Sequence, residues 1–307
     1  MRRVLLSLLA ALAGSWVVHA QSIRDLDILV ELAQDGSARI TQVWDVSVVK
    51  GTEWYIPIDN LGEMYVTDLS VSENGRPFIS EGTRWDVDRS LEQKAGRCGI
   101  VEKRNSVELC WGQGSYGPHV WTAEFTVHGL VQSFTDADGF NFMFVNPGLA
   151  APQQHVKVTI INVTGGPEWT YDNTLVWGYG SYGDINVMDG AIVYESAEPF
   201  SYDSSVIALV RFEKGLFLPE VSRDMSFEKL KEKAMEGSSY GASAAGMVSL
   251  LIPHRLTGLN PAASRISRGV KVQNTPATSP PWSLMVFTFR KPFCLAELNS
   301  ANCRGNS

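Results

Sequence analysis

"SIRDLDILVELAQDGSARITQVWDVSV", residues 22–48, alternates apolar and polar side chains with a period of two. Leu26, Ile28, Val30 and Leu32 share one face, Asp35-Gly36 supplies a turn, and Ala38, Ile40, Trp44, Val46 and Val48 return on a second strand. A helix would spread these residues around its circumference, whereas a strand puts them all on one side, so the stretch predicts a β-hairpin with one buried face.

The same pattern recurs outward from this hairpin. Strands are expected at 53–58, 63–72, within 98–110, at 119–131, where Trp121, Ala123, Phe125 and Val127 face inward, and through FNFMFVNP. A second set is expected at 155–163, 173–178, 191–196 and 205–213. Many short strands separated by turns predict an all-β chain, an antiparallel β-sandwich built as one body or as two packed β units. The break at Pro147-Gly148 and LAAPQQ suggests a seam, with a first β unit over 21–150 and a second over 151–218. Helical periodicity occurs once within 219–237, with Ser226 as N-cap, Phe227, Leu230 and Ala234 on one stripe, and Gly237 as the stop.

Met1 is followed by two arginines, an apolar run and small residues before Gln21, the pattern of a secretory signal peptide over 1–20 with cleavage after Ala20. Export to the periplasm or cell surface is the expectation. The net charge is −7 and is uneven: beyond Gly237 stand seven basic residues against the single acid Glu297, leaving 19 basic and 32 acidic residues before it. An acidic body argues against nucleic acid as partner. The apolar run at 242–252 and WSLMVFTF at 282–289 are both too short to span a bilayer. Residues 238–307 are expected to be an irregular tail, disordered or frameshifted, and it holds Cys294 and Cys303.

Four segments, SIRDLDILVELAQDGSARITQVWDV, EWYIPIDNLGEMYVTDLSV, DGFNFMFVNPGLAAPQQHVKVTI and VIALVRFEKGLF, carry a "DGS" hairpin, an aromatic-Ile-Pro segment and an "FxKGxF" segment. Over about residues 22–236 the chain resembles the extracytoplasmic N-terminal domain of the YciQ-like predicted membrane proteins, a domain-of-unknown-function family of bacterial envelopes. The resemblance implies membrane helices after this domain; the apolar runs that follow it here are expected to be too short for that role, so the tail is expected to be a frameshifted reading or a divergent replacement of that anchor. No catalytic residues come with the resemblance.

Cys98 and Cys110 bracket CGIVEKRNSVELC. A hairpin turning around Arg104 would place Cys98 opposite Cys110 and Val101 opposite Val107, permitting a disulfide worth about 3 kcal/mol. His119, His128 and His155 have no partner at ligand spacing, and Asp136, Asp138 and Gly139 begin a calcium-loop pattern without completing it. No nucleophile or phosphate motif occurs, and neither a metal nor a cofactor is expected. Two loops, WGQGSYG (111–117) and WGYGSYG (177–183), agree at six of seven positions and place Trp111, Tyr116, Trp177, Tyr179 and Tyr182 beside glycines. Such rings can stack on sugars, or plug the ends of a sandwich. The expected function is a non-catalytic envelope module that contacts another envelope protein, with a carbohydrate-binding module using the aromatic loops as the alternative.

Overall fold

The computed structural model describes residues 21–245; the expected signal peptide and residues 246–307 lie outside that range. In chain order the strands are β1 (Ser22–Leu32), β2 (Ala38–Val48), β3 (Glu53–Asp59), β4 (Tyr65–Glu73), β5 (Arg76–Pro77), β6 (Ile79–Ser80), β7 (Arg97–Glu102) and β8 (Ser106–Gly112). They continue as β9 (Gly117–His128), β10 (Gln132–Ser133), β11 (Asp138–Val145), β12 (Gln153–Asn162), β13 (Thr174–Tyr179), β14 (Gly183–Met188), β15 (Ala191–Ser196) and β16 (Val206–Phe212). Helix α1 (Leu91–Lys94) precedes β7, and α2 (Phe227–Ala245) follows β16.

Eight strands form one large sheet in the order β14-β15-β12-β1-β2-β9-β4-β5. Two four-stranded sheets, β10-β11-β16-β13 and β3-β8-β7-β6, contribute to the same core. The alternation read in residues 22–48 explains the arrangement. Leu26, Ile28, Val30 and Leu32 on β1, with Ala38, Ile40, Trp44, Val46 and Val48 on β2, are all buried, and Val30 pairs with Ile40 in the ladder. At about 25 cal/mol per Å² of apolar surface removed from water, this continuous face dominates the favourable side of folding.

The all-β reading holds, with mostly antiparallel sheets and two parallel pairings, β12 beside β1 and β6 beside β7. Hairpin neighbours must be antiparallel, but β12 returns after a long excursion and can approach from either direction. Because β12, β14 and β15 join the sheet that holds β1 and β2, strands from both sides of residue 150 share one layer. Helix α2 passes through Gly237 instead of stopping there, and residues 219–226 lie outside it. A glycine inside a helix costs about 1 kcal/mol, which a packed helix can absorb.

The disulfide is absent. Cys98 and Cys110 are buried free thiols. The β7–β8 turn is Arg104-Asn105, closed by Lys103 N–H donating to Ser106 O at 2.9 Å, so Cys98 pairs with Trp111 and Gly99 with Cys110. A slip of one residue reverses which face a side chain occupies. Cys98 therefore joins Trp111 in the core while Cys110 lies on the opposite face of the sheet.

The two smaller sheets are held by aromatic contacts. Trp44 and Trp121 from the large sheet meet Trp54 and Trp111 from β3 and β8 in a closed ring, with centroid separations of 6.1 Å (44–54), 5.5 Å (54–121), 5.8 Å (111–121) and 6.1 Å (44–111). Trp44 Nε1 donates to buried Gln42 Oε1 at 3.1 Å. On the other small sheet, the face turned away from the core carries Trp177, Tyr179 and Leu209, and α2 covers it with Phe227, Leu230 and Ala234, the stripe read from the sequence.

Candidate functional site

The two aromatic loops do not form a common platform. Trp111 is fully buried in the tryptophan ring, while Trp177 and Tyr179 lie under α2 on a different sheet. Trp177 stacks on Phe227 at 6.2 Å, and Lys231 Nζ sits 4.9 Å from its ring centroid. Burial pushes the Tyr179 hydroxyl up to about 12. Tyr116 is exposed and donates to Gly51 O at 3.4 Å, and Tyr182 is half-buried. The glycines that make the loops look alike answer different demands. A β-carbon at Gly112 would stand 2.0 Å from Lys94 O, whereas Gly180, at φ +102°, lies against Ser205.

One constellation was hardly legible in the sequence. His119 Nδ1 lies 2.6 Å from Glu73 Oε1, its ring stacks on Trp121 at 4.9 Å, and Ser115 Oγ is 3.5 Å from Nε2. The order carboxylate, imidazole, hydroxyl is that of a nucleophilic triad. Its finer geometry serves another purpose, because Ser115 O is nearer to Nε2, at 3.1 Å. An N–H aimed at that carbonyl leaves no lone pair to take a proton from the hydroxyl. The imidazole thus ties the 113–117 loop to β4 instead of activating Ser115. Only its i, i+4 spacing from Ser115 was visible in the sequence; Glu73 is brought in by sheet pairing.

The other polar clusters are likewise bonded internally. Lys94 is fully buried, with Nζ donating to Val87 O at 2.6 Å and Thr52 Oγ1 at 2.9 Å and pairing with Glu53 Oε2 at 3.2 Å, and that carboxylate also accepts from Trp85 Nε1 at 2.6 Å. Asp136 and Asp138, the start of the calcium-like pattern, accept bonds from the Phe227 and Gly215 backbone N–H groups, respectively. On the outer face of the large sheet, His155 donates to Asp25 Oδ1 at 2.7 Å and Glu195 Oε1 at 3.1 Å. The bond to Asp25 chiefly holds the imidazole above its ordinary range, opposed by some desolvation and helped by Glu195.

One groove that stays open lies where two small sheets approach each other. Its volume is about 250 Å³, and it is lined by Pro57, Ile58, Asp59 and Asn60 from the end of β3 and by Phe142, Met143, Asn146 and Pro147 from the end of β11. Asn146 Nδ2 donates to Asp59 Oδ2 at 3.4 Å across it. β3 ends the order of its sheet, and the edge of β11 away from β16 is covered by β10 only at Asp138 and Gly139. Pro57 has no N–H to give a neighbouring strand, which suits an edge. Among the described residues, neither β3 nor residues 140–147 make a main-chain bond outside their own sheets.

Among solved structures the chain is similar to native leukotriene A4 hydrolase from Saccharomyces cerevisiae, at 10% identity and a TM-score of 0.35, covering 67% of this chain and 33% of that one. It is also similar to an M1 zinc metallopeptidase from Deinococcus radiodurans, at 13% identity and a TM-score of 0.30, covering 62% of this chain and 42% of that one. The match thus spans less than half the length of those proteins. No curated protein matches. No helix among the described residues is long and apolar enough to cross a membrane. The family model described as "predicted membrane protein (DUF2207) N-terminal domain" matches residues 22–189, more than half of the chain, and the chain belongs to that family.

Proposed function

We propose that this domain is an exported, non-catalytic recognition module that works by contact with another protein of the cell envelope. The observation that carries the reading is the groove between β3 and β11, where the edges of two sheets remain open. Membership of a membrane-protein family, in which this is the N-terminal domain, supports a place beside the membrane. The burial of Trp111 and Trp177 counts against a sugar platform, since stacking on a glycan needs an open ring face. The polar clusters engage one another and the backbone, as a scaffold requires.

The test is site-specific photo-crosslinking of the full chain in its native cells. A benzophenone side chain would replace Tyr55 beside the groove, Met143 within it, or Val43 on the exposed face of the large sheet. A discrete adduct with one envelope protein from at least one position is expected. Absence of any adduct from all three positions overturns the contact reading.

A further inference from the structure

The β3–β11 groove has the form of a missing strand. Residues of β3 alternate, with Trp54, Ile56 and Ile58 buried and Tyr55 exposed, while on β11 Phe140, Phe142 and Phe144 are buried and Asn141 is exposed. Both strands therefore present a core-facing row and an outward row, and each has a main-chain edge left largely unpaired beside the groove. Bare edges attract other strands, and proteins usually cover or blunt them. Here Pro57 blunts β3 at one position only, and β10 covers β11 at two.

We infer that this groove receives an extended segment of the partner protein by strand addition, linking β3 and β11 into a continuous second layer. The inference rests on the contact reading above and adds the partner's chemistry. Main-chain bonds to both edges would supply affinity, and alternate side chains specificity. Inward positions would be apolar, because they would enter between Ile58 and Phe142. An outward position near Asp59 would be lysine or arginine, since that exposed carboxylate has no ion pair among the described residues.

A library of random linear peptides of about ten residues, the upper length of an ordinary strand, would be selected on the full chain. Selected peptides should alternate apolar and polar residues and carry a base. Three changes should each weaken binding about tenfold or more: N-methylation of alternate peptide amides, Tyr55→Pro at the edge, and Asp59→Lys at the mouth. Thermal unfolding of each variant would confirm that the fold persists. Failure to select any peptide, or binding that survives all three changes, overturns strand addition. A crosslink from Val43 alone would also overturn it, yet would leave the contact reading standing.

Discussion

Lys214 Nζ stands 3.2 Å from the buried carboxylate of Asp138, and the next residue, Gly215, donates its N–H to the same side chain at 2.8 Å. The DGF segment and the FEKGLF segment, distant in sequence and both part of the family resemblance, are thus two halves of one contact. Phe212 and Phe217 pack beside it at 4.9 Å, with Trp169 at 5.0 Å from Phe212. Lys214→Met would leave a buried carboxylate with backbone donors only, and should lower unfolding free energy by about 2 kcal/mol, because the half-exposed ammonium is screened by solvent. Asp138→Asn keeps an acceptor for Gly215 and should cost about 1 kcal/mol. Urea unfolding of the two variants gives the ranking, and an equal or reversed order would refute it.

Gly112 should tolerate no side chain. The clash of an added β-carbon is with the Lys94 backbone, which is anchored by its own buried ammonium group. Gly112→Ala is expected to destabilise by about 3 kcal/mol or more, while Gly75→Ala, which has open space and pays only for its positive φ of 75°, should cost about 1 kcal/mol. Melting temperatures of the two variants provide the comparison.

The free thiols should be inert. Burial pushes the Cys110 thiol up to about 12 and also raises Cys98, so the reactive thiolate is scarce at neutral pH. Alkylation of the folded protein should leave both unmodified, denatured protein should take up the label at both without prior reduction, and peptide mapping should find no bridge between them. A Cys98–Cys110 crosslink in purified protein would contradict the register described above.

His155 should give stability a modest pH dependence. Its folded-state pKa is raised above the unfolded value of about 6.5, so its contribution is fully present below that pH and is lost as pH rises through the folded value. The side chain is 41% exposed, and solvent screening keeps the effect small. The melting temperature of His155→Gln should fall below that of the parent at about pH 5.5 and approach it at about pH 9. A gap that widens with pH would refute the assignment.

Phe227 fastens α2 to the second small sheet. It is buried against Trp177 and Phe134, and its N–H donates to Asp136 Oδ1 at 2.7 Å. Phe227→Ala should cost about 3–5 kcal/mol locally and uncover Trp177. Red-shifted tryptophan emission with faster proteolysis near residue 227 is the expected signature, and unchanged emission would argue against this docking.

The residues that defined single faces were the legible ones. Strict alternation located β1, β2 and β9 with their buried rows and marked β15 and β16 as strands, and the Phe227, Leu230, Ala234 stripe located the docking face of α2. Long-range partners were not legible. Nothing local to Gln153–Asn162 specifies a parallel place beside β1, and a one-residue difference in the Arg104-Asn105 turn separated a disulfide from two free thiols. At the candidate site, the aromatic loops drew attention because glycine and tyrosine look alike in any loop. The groove left no motif, because its walls are main-chain edges.

The parallel pairing of β1 with β12 also bears on time. Ile23 is matched with Gln153, so one edge of the first strand stays bare until residues far along the chain have been made. Contacts this distant in sequence slow folding, because a long loop must close before they form. A ribosome releases the N-terminal end first, and the earliest apolar strand must therefore wait for its second neighbour. That interval is when the chain is most open to a chaperone, or to a wrong partner.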